Sequence, residues 1–107
     1  MPFQKADGLW NVFADKPALP ADTSGSAGIA AALAIGAQQG WLDHTAKSAA
    51  TTTLAGSQPH LTPNGLLGGV SHANKGGEQL LRGNYRVIYQ MGMGLMAQFM
   101  AALETGK

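Results

Sequence analysis

The chain has no cysteine, and only 12% of its residues are charged. The first absence excludes disulfides and thiolate metal sites and leaves the redox compartment undetermined. The second is about half the share of an ordinary soluble domain, which is roughly 25%. Seven Lys and Arg against six Asp and Glu give a net charge of +1, and the basic residues are scattered. No nucleic-acid partner is therefore expected. His44, His60 and His72 lie far apart, without the i, i+4 spacing of helical ligands. No metal site and no cofactor is expected from them. The longest apolar run, Ala27 to Ala37, is too short to span a bilayer, so no membrane partner is expected either. The opening MPFQKADGLW lacks a basic segment followed by an apolar one, and no signal peptide is predicted.

What the chain does have is small and apolar. Of its 107 residues, 45% are hydrophobic and fifteen are glycine. A chain of this length buries only about two-thirds of its unfolded surface and is marginal unless it packs on something. Low charge and many glycines imply a surface hidden in an oligomer or in a larger fold.

The pattern predicts one small helical domain over residues 1–107, with helices at about 24–39, 44–54 and 93–104. Residues 1–21 are interrupted by Pro2, Pro17 and Pro20, and Leu9, Trp10, Val12 and Phe13 form an apolar cluster expected to pack on the first helix. Asp22 or Thr23 caps that helix, and Gly40 stops it. It is apolar nearly all round, which predicts burial on several sides. The second helix, capped by Asp43, is more polar and is expected to lie outside the first. Trp41-Leu42 is expected to pack in the tight connection, which makes the two helices antiparallel neighbours. Pro63-Asn64-Gly65 signals a turn and a short hairpin. Ser71 to Asn84 reads as a Gly-rich loop, and Tyr85 to Tyr89 has strand-like composition. Leu95, Phe99 and Leu103 with Met96 and Met100 give the last helix a wide apolar stripe.

Several patterns bear on chemistry. Gly92-Met93-Gly94-Leu95-Met96-Ala97 fits G-x-G-x-x-A, but no βαβ unit surrounds it and no acidic ribose partner follows. Its glycines are better read as permitting close helix approach. Ser24-Gly25-Ser26-Ala27-Gly28 misses the nucleophile-elbow pattern because position 24 is Ser. Thr23, Ser24 and Ser26 open the first helix, where free N–H groups and the dipole suit an anion; plain capping is the simpler reading. Trp10 suits stacking on a sugar as well as core filling. Arg82 and Arg86 suit an anion grip or a solvated loop. The acidic residues show no catalytic pair.

The segments DGLWNVFADKP, DTSGSAGIAAALAIGAQQGWLD, PNGLLGGVSHANKGGE and YRVIYQMGMGLMAQFMAAL, in this order, resemble the C-terminal part of the unsaturated glucuronyl and rhamnogalacturonyl hydrolases, glycoside hydrolase families 88 and 105. The resemblance covers almost the whole chain. It implies an all-α fold: helical hairpins of a partial (α/α)6 barrel, with the Ala-rich helix inner and the polar helix outer. It implies hydration of the double bond of 4,5-unsaturated uronic acid ends on oligosaccharides released by polysaccharide lyases, with an Asp as acid and base. No segment here matches the one that carries the family's catalytic Asp, so no catalytic residue is carried over. The family's hydroxyl motif for anionic substrate groups matches at Thr23 and Ser26, and Trp10 matches the preceding Leu-Trp. Asn11 stands where larger polar residues such as His are common. The implied partner is a uronic-acid-containing oligosaccharide. The implied setting is a bacterial cytoplasm or periplasm. With about one and a half hairpins of six, the chain is expected to be a fragment of a longer barrel, or else to form a homo-oligomer, and to be inactive alone. A non-catalytic uronate-binding module and a homo-oligomeric structural piece are the alternatives.

Overall fold

A computed structural model describes residues 3–13, 15–16, 19–71, 82–83, 86–88 and 90–105. Helix α1 spans Thr23–Gln38, α2 spans His44–Ser57 and α3 spans Gln90–Thr105. A 3-10 turn, Gln58–His60, follows α2. Among the described residues there is no strand, only the isolated antiparallel bridges Asn11–Ala21, Leu61–Leu67 and Val70–Val87.

Helix α1 begins where Asp22 turns its carboxylate onto the N–H groups of Ser24 and Gly25. It ends at Gly40, whose φ of 77° is the left-handed conformation glycine adopts at low cost. The Trp41 and Leu42 N–H groups then close back on the Gly36 carbonyl. Helix α2 runs three residues past its expected end at Leu54, through Gly56 to Ser57. Gly56 does not stop the helix; it makes room. A Cβ there would sit 1.9 Å from the Asp7 carbonyl oxygen. The helix stops instead at the turn that carries Pro59. Helix α3 starts three residues before the expected Met93, at Gln90.

Helix α1 packs against both α2 and α3. The link through Gly40 makes α1 and α2 antiparallel. Helix α3 instead runs parallel to α1. Gly92 approaches Ser24, and further along Leu95 lies over Gly28. The face of α1 between them is almost all alanine: Ala27, Ala30, Ala31 and Ala34 are buried with Ala50, Leu67, Met96, Phe99 and Ala102. Small residues let two helices close on α1, and Phe99 and Leu67 from outside supply the bulk that fills the core.

Helix α1 is buried against both α2 and α3, and one further side is open. Ile29 is 41% and Ile35 44% exposed. These β-branched residues lie on the side of α1 that no described element covers. Trp41 does not pack in the connection, being 76% exposed; the backbone closure onto Gly36 turns it outward, while Leu42 lies against Gly36. Helix α2 lies outside α1 as expected, with Ala46, Ala49, Ala50, Thr53 and Ser57 buried. The short hairpin is reduced to the Leu61–Leu67 bridge, with Thr62 N–H donating to the Leu66 carbonyl. Most of the Gly-rich loop after Ser71, and Tyr85 and Tyr89 of the strand-like segment, lie outside the described residues.

Candidate functional site

The start of α1 is where the most elements converge. The segment Trp10–Val12 runs antiparallel to Pro20–Asp22, with Val12 N–H on the Pro20 carbonyl at 3.1 Å and Asp22 N–H on the Trp10 carbonyl at 3.1 Å. On the other side, Thr23 N–H donates to Gly69 O at 3.2 Å. Between the Trp10–Val12 segment and the helix start lies a cavity of about 230 Å³, whose helix side is formed by Asp22, Gly25, Ser26 and Ile29.

The residues expected to bind substrate all come to this place, in different roles. Trp10 borders the cavity and keeps 7% of its surface exposed. Thr23 and Ser26 are buried, and their hydroxyls are committed to the backbone. The Thr23 hydroxyl donates to Gly68 O at 2.6 Å. The Ser26 Oγ accepts from Trp10 N–H at 2.8 Å and donates to the Asp22 carbonyl at 2.7 Å. The Ser26 hydroxyl ties two walls of the cavity together, while Thr23 does not border it and ties α1 to the Gly68 segment.

The helix dipole is occupied too. Of the first N–H groups of α1, Ser24 and Gly25 donate to the two carboxylate oxygens of Asp22. Thr23 donates to Gly69 O, and Ser26 to Asp22 O. The position where an external anion would bind a helix N-terminus is taken by the chain's own carboxylate. Asp22 Oδ1 also accepts from the Ser24 hydroxyl at 2.9 Å and from Ser71 N–H at 2.9 Å. One side chain therefore ties α1 to the loop that follows Val70.

Neither candidate arginine reaches into the cavity. Arg86 spends Nε on the Ala21 carbonyl at 2.8 Å and Nη1 on the Gly83 carbonyl at 3.1 Å. Burial lowers its pKa from the ordinary value, against the opposing pull of Asp22. Arg82 stacks over the Phe13 ring at 5.2 Å. The G-x-G-x-x-A segment behaves as a contact surface: a Cβ at Gly92 would meet Val70 Cγ2 at 2.7 Å. Among the described residues no group of His, Asp and Glu is arranged to hold a metal ion.

Asn11, noted in the sequence as a departure from larger polar residues, also comes to this place. It borders the cavity and is 6% exposed. Its Nδ2 donates to the Lys16 carbonyl at 2.9 Å, and its Oδ1 is buried without a hydrogen-bond partner. The sequence signal was the departure at this position from the larger residues common there. That Oδ1 is left unpaired follows only from where the Lys16 carbonyl lies.

The chain matches the profile of Glycosyl Hydrolase Family 88 over residues 1–105, and it belongs to that family. Two crystal structures share the fold. One, a possible member of the GH105 family from Salmonella enterica subsp. enterica serovar Paratyphi A str. ATCC 9150, superposes with a TM-score of 0.86 at 19% identity over 97% of this chain. The other, a possible member of the same family from Klebsiella pneumoniae subsp. pneumoniae MGH 78578, gives 0.77 at 18% identity over 97% of this chain. The chain spans 28% of the length of each. No match was found among curated proteins. The fold is thus a partial (α/α)6 barrel, in which α1 and α3 run side by side in parallel and α2 lies outside α1.

Proposed function

We propose that the chain forms the hairpin and companion helix of a barrel that hydrates 4,5-unsaturated uronic acid ends of lyase-derived oligosaccharides, and that it is inactive by itself. The observation that carries the second half is the state of the carboxylates. Among the described residues Asp22 is the one acidic residue bordering the cavity, and both of its oxygens are engaged by the chain's own donors. Asp7, Asp15, Asp43 and Glu104 are exposed and do not border the cavity; Glu78 lies outside the described residues. A general acid must reach the reacting group with a proton to give, and no described carboxyl is placed to do so.

Family membership over residues 1–105 supports the glycoside-hydrolase class. The 28% share of the neighbours' length supports a catalytic acid supplied from outside this chain. In this reading Trp10 forms a wall for the sugar, and Ser26 acts one step back by fixing that wall, while Thr23 ties α1 to the Gly68 segment. The partner is the remainder of a longer barrel, for which the uncovered Ile29 and Ile35 of α1 offer an apolar edge.

The test is turnover of an unsaturated uronyl disaccharide, followed by loss of double-bond absorbance. The purified chain is expected to leave the absorbance unchanged. Saturable turnover by the chain alone would overturn the proposal of inactivity and require a proton donor within these 107 residues.

A further inference from the structure

We propose that Asn64–Gly65, at the tip of the turn that follows the 3-10 segment, is a site of spontaneous deamidation, and that the Thr62 hydroxyl is the latch that sets its rate.

The chain holds one Asn-Gly pair and one Asp-Gly pair. Asparagine is among the thermolabile side chains. Its loss is fastest before glycine, whose missing Cβ leaves the backbone nitrogen open and the backbone free to turn. Asn64 and Gly65 are both exposed, and a Cβ at Gly65 would meet nothing within 4 Å among the described residues. No neighbour covers the approach. The step needs no co-reactant but water. The Gly65 backbone nitrogen gives up its proton and bonds to Asn64 Cγ, the Cγ–Nδ2 bond breaks, and Nδ2 leaves with that proton as ammonia. Water then opens the cyclic imide at either carbonyl, which leaves aspartate or isoaspartate.

In the closed turn the reacting groups are pinned. Gly65 N–H donates to Thr62 O at 2.9 Å, and Asn64 Oδ1 accepts from the Thr62 hydroxyl at 2.6 Å. The same hydroxyl accepts from Leu66 N–H at 2.9 Å. Thr62 thus holds the electrophile, the nucleophile and the residue after them. The turn must open before Gly65 N reaches Asn64 Cγ, so local opening governs the rate. Asp7–Gly8 is the internal contrast. Gly8 is buried, Asp7 Oδ1 accepts from Leu9 N–H at 3.0 Å, and a Cβ at Gly8 would lie 2.3 Å from Thr52 O. That pair is packed on α2 without room to cyclise.

The modification reaches the core through a short lever. Isoaspartate adds a methylene to the main chain of the turn. Thr62 N–H donates to Leu66 O at 2.8 Å, and Leu67 next to it is fully buried. Gly68 then bonds to His60 O and to the Thr23 hydroxyl. A lengthened turn takes the Leu61–Leu67 bridge out of register and loosens the segment that meets the start of α1.

The full chain, kept at mildly alkaline pH, is digested for mass spectrometry that separates aspartate from isoaspartate. Isoaspartate is expected at Asn64 and not at Asp7, and more slowly than in the same chain unfolded in urea. Thr62→Val is expected to speed conversion about tenfold, the weight of roughly two partly exposed hydrogen bonds. The melting temperature is expected to fall as isoaspartate accumulates, while Asn64→Ser, incubated alike, keeps its own. Absence of conversion at Asn64 in the folded chain overturns the proposal. So does a folded-chain rate equal to that in urea, or one unchanged by Thr62→Val, since either leaves the turn without a latch. The urea comparison uses the unaltered chain, so a folding defect in the variant leaves the test intact.

Discussion

The Ser26 hydroxyl bridges the Trp10 backbone and the start of its own helix, with Trp10 N–H donating to Oγ at 2.8 Å and Oγ donating to the Asp22 carbonyl at 2.7 Å. Both residues are buried. Ser26→Ala strands the Trp10 N–H in a place water reaches poorly, and the expected loss is about 2 kcal/mol. Denaturant unfolding checks this. An unchanged midpoint would show that the hydroxyl is free for other work.

Asp22 carries more than its cap. Besides the N–H groups of Ser24 and Gly25 it receives the Ser71 N–H. Asp22→Ala removes the N-cap and the tie to the loop together, and about 2–3 kcal/mol of destabilisation is expected. Hydrogen exchange should show where: faster exchange at both Gly25 and Ser71. Faster exchange at Gly25 alone would mean the tie to the loop contributes nothing.

Two helical glycines make opposite predictions. At Gly56 a Cβ would lie 1.9 Å from the Asp7 carbonyl oxygen. Gly56→Ala must push the N-terminal segment off α2, at a cost of about 1–3 kcal/mol that exceeds the ~1 kcal/mol gain in helix propensity. At Gly94 nothing lies within 4 Å of the added atom, and Gly94→Ala should stabilise by about 0.5–1 kcal/mol. Thermal melts of the two variants should move in opposite directions.

The cap of α2 is sensitive to acid. The Thr45 hydroxyl, then the Thr45 N–H, hold the Asp43 carboxyl below its ordinary value of 3.8, with a smaller pull from His44. A depressed folded-state pKa means the carboxylate form stabilises the fold. That contribution is complete above the unfolded value and is lost as pH falls from there through the folded value. Titration by NMR should place Asp43 below 3.8, and Thr45→Val should move it back up. An Asp43 pKa unmoved by Thr45→Val would assign the shift to another source.

Helix positions were legible because their punctuation is local. Asp22, Gly40 and Asp43 sit at boundaries the sequence marks, and α1 was misplaced by only one residue. The end of α2 was not legible. The helix continues through Gly56, where Asp7, distant in the chain, comes to rest against it. The same limit applies at the cavity. Thr23, Ser26 and Trp10 were found because hydroxyls at a helix start and a Trp before it are local signals. Where those hydroxyls go was hidden, since their partners at Trp10 and Gly68 are set by tertiary packing. Which side of α1 stays open was hidden for a related reason. An alanine face packs as well as an isoleucine face when two helices must come close, so hydrophobicity alone could not say which face turned inward.

The open side of α1 has a measurable consequence. Ile29, Ala32 and Ile35 follow one another at i, i+3 and i+6 and are all exposed. On α3, Met100 is 50% exposed, and the groove between the helices, lined by Ala31, Ile35, Gln98, Ala101 and Ala102, bears no charge. An uncharged helical face of this kind associates when nothing covers it. The melting temperature of the isolated chain is therefore expected to rise with protein concentration. Ile35→Lys should remove that dependence while changing the stability of the dilute chain by no more than about 0.5 kcal/mol, because the side chain is already half in water. A melting temperature independent of concentration in the unaltered chain would mean that this edge of the partial barrel is stable in water without a neighbour.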